Sequence, residues 1–105
     1  MDFGLPKITL DEINSIFKKF DGIEKVVVYG SRAKGNYKYN SDIDMTVFAK
    51  NFPHEKFLDL SNEFYESNIP YLTDISLYDK IDNESLKEHI NRVGKVLYHN
   101  GKFSD

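Results

Sequence analysis

Two short segments joined by a polar loop constrain this chain more than anything else in it. Lys25-Val26-Val27-Val28-Tyr29 is a β-branched run stopped by Gly30. Asp42 to Phe48 alternates, with Asp42, Asp44 and Thr46 on one parity and Ile43, Met45 and Val47 on the other. β-branched residues suit the pleated strand, and a period of two sends successive side chains to opposite faces. The first segment therefore reads as a buried strand and the second as a half-buried strand with an acidic open face.

The remaining elements follow from spacing. Leu10, Ile13, Phe17 and Phe20 recur at helical intervals behind a Thr9/Glu12 capping-box pattern, predicting a helix over 10–20 that ends near Gly22. Residues 31–35 begin a short helical turn, and Asn36 to Ser41 is polar loop. Pro53 suits the first turn of a helix whose stripe Phe57, Leu58, Leu60, Phe64 and Tyr65 reaches about Asn68, where Pro70 closes it. Tyr71 to Tyr78 alternates again, with Asp74, Ser76 and Tyr78 on one parity. Asp82 or Asn83 caps a last helix carrying Leu86, Ile90 and Val93, which Gly94 terminates before Val96-Leu97-Tyr98. This order predicts one α/β (α+β) domain over 1–105. Its small mixed sheet has helices on one face, and the other face is open.

Composition narrows the function. A chain of 105 residues has room for one core. With 0 Cys, disulfides and thiolate metal sites are excluded, which fits a reducing, cytoplasmic setting. A net charge of -3 disfavours strong non-specific nucleic-acid binding. The bases are uneven, however: Lys18, Lys19, Lys25, Arg32, Lys34 and Lys38 face only Asp21 and Glu24 in that stretch, which suits a small polyanion. No run approaches the ~18 apolar residues of a membrane span, so no membrane partner is expected.

Aspartates at i and i+2 of a strand project the same way, roughly 6 to 7 Å apart. Two such carboxylates repel unless a cation lies between them. Asp42 and Asp44 thus form an incomplete site for a hard ion such as Mg²⁺, which a nucleotide would finish. With Asp74 on a neighbouring strand, three carboxylates suffice for two ions and in-line displacement at phosphorus. Gly30 permits a sharp turn whose amides approach phosphate oxygens, Ser31 adds a hydroxyl, and Arg32 and Lys34 neutralise charge. Other motifs fail on spacing. Asn36 and Tyr37 stand where a P-loop needs Lys and Ser or Thr, Val47 and Pro53 break an EF-hand started at Asp42, and Leu58 replaces the second His of a zincin helix. His54, His89 and His99 are scattered and receive no role, and Tyr37 and Tyr39 are assigned to loop packing.

Gly30-Ser31-Arg32-Ala33-Lys34-Gly35, Ser41-Asp42-Ile43-Asp44 and Thr73-Asp74-Ile75 together resemble the minimal nucleotidyltransferases of the DNA polymerase β-like superfamily. The similarity runs from about Leu10 to Tyr98. It implies the polymerase β palm-like fold. It also implies that Gly30 and Ser31 hold the β- and γ-phosphates of a nucleoside triphosphate, that Asp42 and Asp44 ligate Mg²⁺, and that Asp74 completes the site and helps deprotonate an acceptor hydroxyl. Lys34 stands where relatives often carry Arg, which weakens a phosphate clamp without removing its charge. The smallest members of the family often act as antitoxins beside a HEPN-domain toxin ribonuclease, some by transferring AMP from ATP. The resemblance therefore implies ATP as substrate, two Mg²⁺ ions and a HEPN-domain protein partner. A small-molecule or RNA acceptor, or neutralisation by binding alone, are the alternatives.

Overall fold

The computed structural model describes residues 2–101; Met1 and residues 102–105 of the single domain expected over 1–105 lie outside the described residues. The elements in chain order are α1 (Lys7–Lys18), β1 (Ile23–Tyr29), α2 (Ser31–Lys34), β2 (Ile43–Ala49), α3 (His54–Tyr65), β3 (Thr73–Leu77), a 3₁₀ turn (Tyr78–Lys80), α4 (Glu84–Val93) and β4 (Lys95–His99). The sheet order is β3-β2-β1-β4. β1 runs antiparallel to both β2 and β4, whereas β2 and β3 are parallel, so the sheet is mixed as the sequence implies. A parallel pair needs a crossover, and α3 supplies it.

One face of the sheet carries Val26, Val28, Ile43, Met45 and Val47, covered by Ile13, Ile16 and Phe17 of α1 and by Leu60 and Phe64 of α3. Phe17 anchors this layer, with its ring 5.2 Å from that of Phe64 and 5.8 Å from that of Tyr98. Two apolar residues expected in the α3 stripe, Leu58 and Tyr65, are exposed instead.

The opposite face is not left open, contrary to the sequence expectation. Ile90 of α4 packs on Val27 and Tyr29, with Phe48, Tyr78, Leu86 and Val93 around them. The reason lies in β1, whose apolar residues occupy both parities: a strand apolar on both sides needs cover on both sides. Phe48 and Tyr78 stack at 4.3 Å and close the apolar half of this face. Its other half is polar and carries the aspartates.

Local signals fared unevenly. Asn83 caps α4 as expected, its Oδ1 accepting from the Leu86 amide at 3.1 Å. The Thr9/Glu12 capping box does not form. α1 starts earlier, behind Pro6, with Thr9 buried inside the helix, while the Glu12 carboxylate accepts from the Asn68 amide at 3.0 Å. Proline with φ -62 at the helix entrance supplies the start that Thr9 was expected to give. Gly94 ends α4 with φ -63, a conformation open to any residue. Glycine is needed there for room, because a Cβ would collide with the Ile90 carbonyl oxygen and with Val27 Cγ1.

Candidate active site

The end of β1 and the starts of β2 and β3 meet at one corner of the sheet. Tyr29 pairs with Asp44 across the antiparallel ladder, and Asp44 pairs with Asp74 across the parallel one. Paired residues share a face, so both carboxylates project from neighbouring strands, ~4.8 Å apart in the ladder direction. One pleat further along the same face, the Ser76 hydroxyl donates to Thr46 Oγ1 at 3.0 Å, adding a second polar layer. Asp42 stands one residue before β2 and is exposed, as is Asp74, while Asp44 is half-buried.

The electrostatics follow from that arrangement. Burial first, then the charges of Asp74 and Asp42, raise the Asp44 pKa above its ordinary value, with the charge that His89 carries when protonated opposing the shift. Burial, then Asp74 and Asp44, likewise raise the Tyr29 phenol, which keeps its proton as a donor beside the acids. Among the described residues, no three His, Cys, Asp or Glu side chains close into a ready cation cage. The corner is an open set of carboxylate oxygens with His89 as the neighbour that opposes their mutual repulsion.

Directly against it lies the Gly30 turn. Gly30 has φ 71 and ψ -153, a region used essentially by glycine alone, and a Cβ there would sit 2.6 Å from Asp44 Oδ2. The glycine thus lets backbone and carboxylate touch. α2 follows, its first internal bond running from the Lys34 amide to the Gly30 carbonyl at 3.0 Å; the amides of Ser31, Arg32 and Ala33 precede that bond, as the first amides of any helix do. Ser31 is partly exposed at this turn.

Arg32 does not join Gly30 and Ser31 as expected. It is 1% exposed, and four of its guanidinium N–H groups donate to carbonyl oxygens: Nε and Nη2 to Ser41 (3.0 and 2.8 Å), Nη2 also to Tyr39 (3.0 Å), and Nη1 to Phe3 (2.9 Å). The rings of Tyr37 and Tyr71 lie 5.2 and 5.0 Å from it. This cation is spent largely on the carbonyls of Phe3 and of the loop between α2 and β2 rather than turned toward the Gly30 turn. Lys34 is exposed and lines an open cavity of about 600 Å³ with Arg92 and Lys95, which none of the three aspartates lines. A second cavity, about 510 Å³, runs between α3 and β3 past Tyr65 and Leu72 to Asp74.

Sequence reading missed His89. Its Nε2 accepts the Gly30 amide at 3.2 Å, and its ring stands edge-on to Tyr29 at 6.1 Å. The signal was present: with Leu86, Ile90 and Val93, position 89 completes an i, i+3, i+4, i+7 stripe and so lies on the buried side of α4.

A small mixed sheet with carboxylates on adjacent strands beneath a Gly-Ser turn is the framework of a nucleotidyltransferase. The chain belongs to the polymerase beta nucleotidyltransferase family, whose model matches residues 11–102. No curated protein sequence matches it. Among solved structures, a toxin-antitoxin with AMP-PNP superposes with a TM-score of 0.70 at 19% identity, over 89% of this chain and 75% of the other. A complex of a tri-AMPylated Shewanella oneidensis HEPN toxin with its MNT antitoxin gives 0.65 at 15% identity, over 91% and 74%. A putative nucleotidyltransferase from Sulfolobus solfataricus gives 0.57 at 20% identity, over 91% and 81%. At such identities the likeness is one of fold.

Proposed function

We propose that this chain transfers AMP from ATP to a hydroxyl of a partner protein, as an antitoxin that modifies and neutralises a HEPN-domain toxin. The observation that carries the reading is the pairing of Asp44 with Asp74 on parallel neighbours directly under the Gly30 turn. The resemblance of the fold to toxin-antitoxin structures, one with AMP-PNP and one with an AMPylated toxin, favours ATP and a protein acceptor over other substrates.

The donor set suits Mg²⁺. Asp74 and Asp42 lie near enough to Asp44 to raise its pKa, their donors are carboxylate oxygens, and among the described residues no three such groups close into a cage, which leaves positions for phosphate oxygens to complete. Asp42, Asp44 and Asp74 would hold one or two such ions, which supply charge neutralisation at the phosphates and at the developing alkoxide. The chain's own groups do the rest. Gly30 and Ser31 seat the β- and γ-phosphates, with Lys34, the exposed cation of α2, to meet charge beyond them. The acceptor oxygen attacks the α-phosphorus, the bond to the α–β bridging oxygen breaks, and pyrophosphate leaves. Asp74, exposed at the mouth of the cavity beside β3, takes the hydroxyl proton.

The test combines labelled ATP, Mg²⁺ and a HEPN-domain toxin as acceptor, read by intact mass. One adenylyl group should appear on the partner and be absent with Asp42→Asn/Asp44→Asn. Label transferred by the double variant would overturn the mechanism. Neutralisation by that variant without an adduct would assign the effect to binding alone.

A further inference from the structure

We infer that His89 is a positioning residue for the nucleotide loop, holding the Gly30 peptide in the conformation from which Ser31 meets the phosphates. The inference rests on the nucleotidyl-transfer reading above. Its starting point is the backbone of Gly30, which at φ 71 and ψ -153 occupies one of several conformations open to glycine, so its neighbours must select it. Two groups do so. Asp44 packs against the Gly30 Cα from below, and His89 Nε2 takes the amide hydrogen at 3.2 Å from α4, 59 residues away in sequence.

His89 is itself well fixed. It stands one residue before buried Ile90, and its half-buried ring meets Tyr29 edge-on with an interplanar angle of 82°. An Nε2 that accepts carries its ring hydrogen on Nδ1, so this geometry selects one tautomer. The consequence for the loop is specific. Because the Gly30 amide is committed to His89, the first amide free to meet a phosphate oxygen is that of Ser31, and His89 holds the Tyr29–Gly30 peptide from which the Gly30–Ser31 peptide departs. α4, which has no carboxylate in the acidic corner, thereby sets where the phosphates lie.

Two variants separate this role from mere packing. His89→Gln keeps an acceptor near the Nε2 position, whereas His89→Phe keeps a ring against Tyr29 and removes the acceptor. Amide hydrogen exchange at Gly30 should accelerate in the Phe variant and stay slow in the Gln variant. In the adenylylation assay kcat/KM for ATP should fall roughly five- to tenfold with Phe, the worth of one hydrogen bond, and stay within about twofold with Gln. Urea unfolding of both variants is measured alongside, so that the kinetic effect is read against whatever stability is lost when the Gly30 amide is left without its acceptor. Unchanged exchange and kinetics in the Phe variant, or equal losses in both, would overturn the assignment. If the unmodified chain takes up no ATP, the transfer reading falls, while exchange at Gly30 still decides the contact: faster with Phe than with Gln supports it, and equal rates refute it.

Discussion

Replacing Arg32 with Met tests whether this cation binds phosphate or builds the loop. The variant keeps similar volume and removes every donor. Three carbonyls then lose their partner, those of Phe3, Tyr39 and Ser41. The bond to Phe3 is buried and the others are partly so. An acceptor left unsatisfied in the interior costs about 1–3 kcal/mol, and one able to turn towards water less, about 1. Loss of the two ring contacts adds about 1. Relief from burying a cation that has no carboxylate partner among the described residues offsets part of this. The balance is a loss of about 3–4 kcal/mol, a large share of the 5–15 typical of a domain. Urea unfolding followed by far-ultraviolet circular dichroism should show a midpoint lowered by about 2 M. Lys34→Ala, at an exposed site, should remain within about 0.5 kcal/mol of the unmodified chain. An Arg32→Met protein of unaltered stability that has lost ATP binding would refute the loop role and restore the phosphate one.

The raised pKa of Asp44 has a sign that can be measured. A carboxyl whose folded pKa exceeds its unfolded one contributes stability that is complete below the unfolded pKa and disappears as pH rises through the folded value. At neutral pH without divalent cation, Asp44→Asn should therefore raise the melting temperature, by up to about 1 kcal/mol or several degrees, with the gap closing below about pH 4; an unchanged or lower midpoint at pH 7 would contradict it. Mg²⁺ with a non-hydrolysable ATP analogue should stabilise the unmodified chain and not Asp44→Asn, as thermal scanning would reveal. Gly30→Ala should cost about 1–3 kcal/mol from backbone strain alone and displace the Asp44 carboxylate; a folded variant with full transfer activity would show that the turn is dispensable. Gly94→Ala should destabilise by about 1–3 kcal/mol through overpacking against Val27, and chemical denaturation showing no loss would mean that the α4–β4 corner yields easily.

Most of the sheet was legible because period two is a strong local signal. Asp42 to Phe48 and Tyr71 to Tyr78 gave strands whose apolar parity is the one that packs on α1 and α3. Asp74 and Asp44 were readable as candidates, though only the parallel register made them neighbours. What spacing could not convey was tertiary. Arg32 beside a Gly-Ser turn looks like a phosphate ligand, and nothing local says that Phe3 and Ser41 supply carbonyls to it. His89 was overlooked because its partner is a backbone amide 59 residues away. The cover on the second face was legible in principle, since Val27 and Tyr29 interrupt no alternation but belong to a run apolar on both sides. The α1 start was misread because a capping pattern competes with a proline, and the proline fixes the backbone more firmly.

The hydrogen bond from Arg32 to the Phe3 carbonyl ties the first residues of the chain to the loop that precedes Asp42. Disturbing Phe3 thus shifts the footing of a loop whose far end carries Asp42. For the same reason the two stretches are mechanically coupled, because a change of backbone path in either leaves the shared guanidinium without one of its seats.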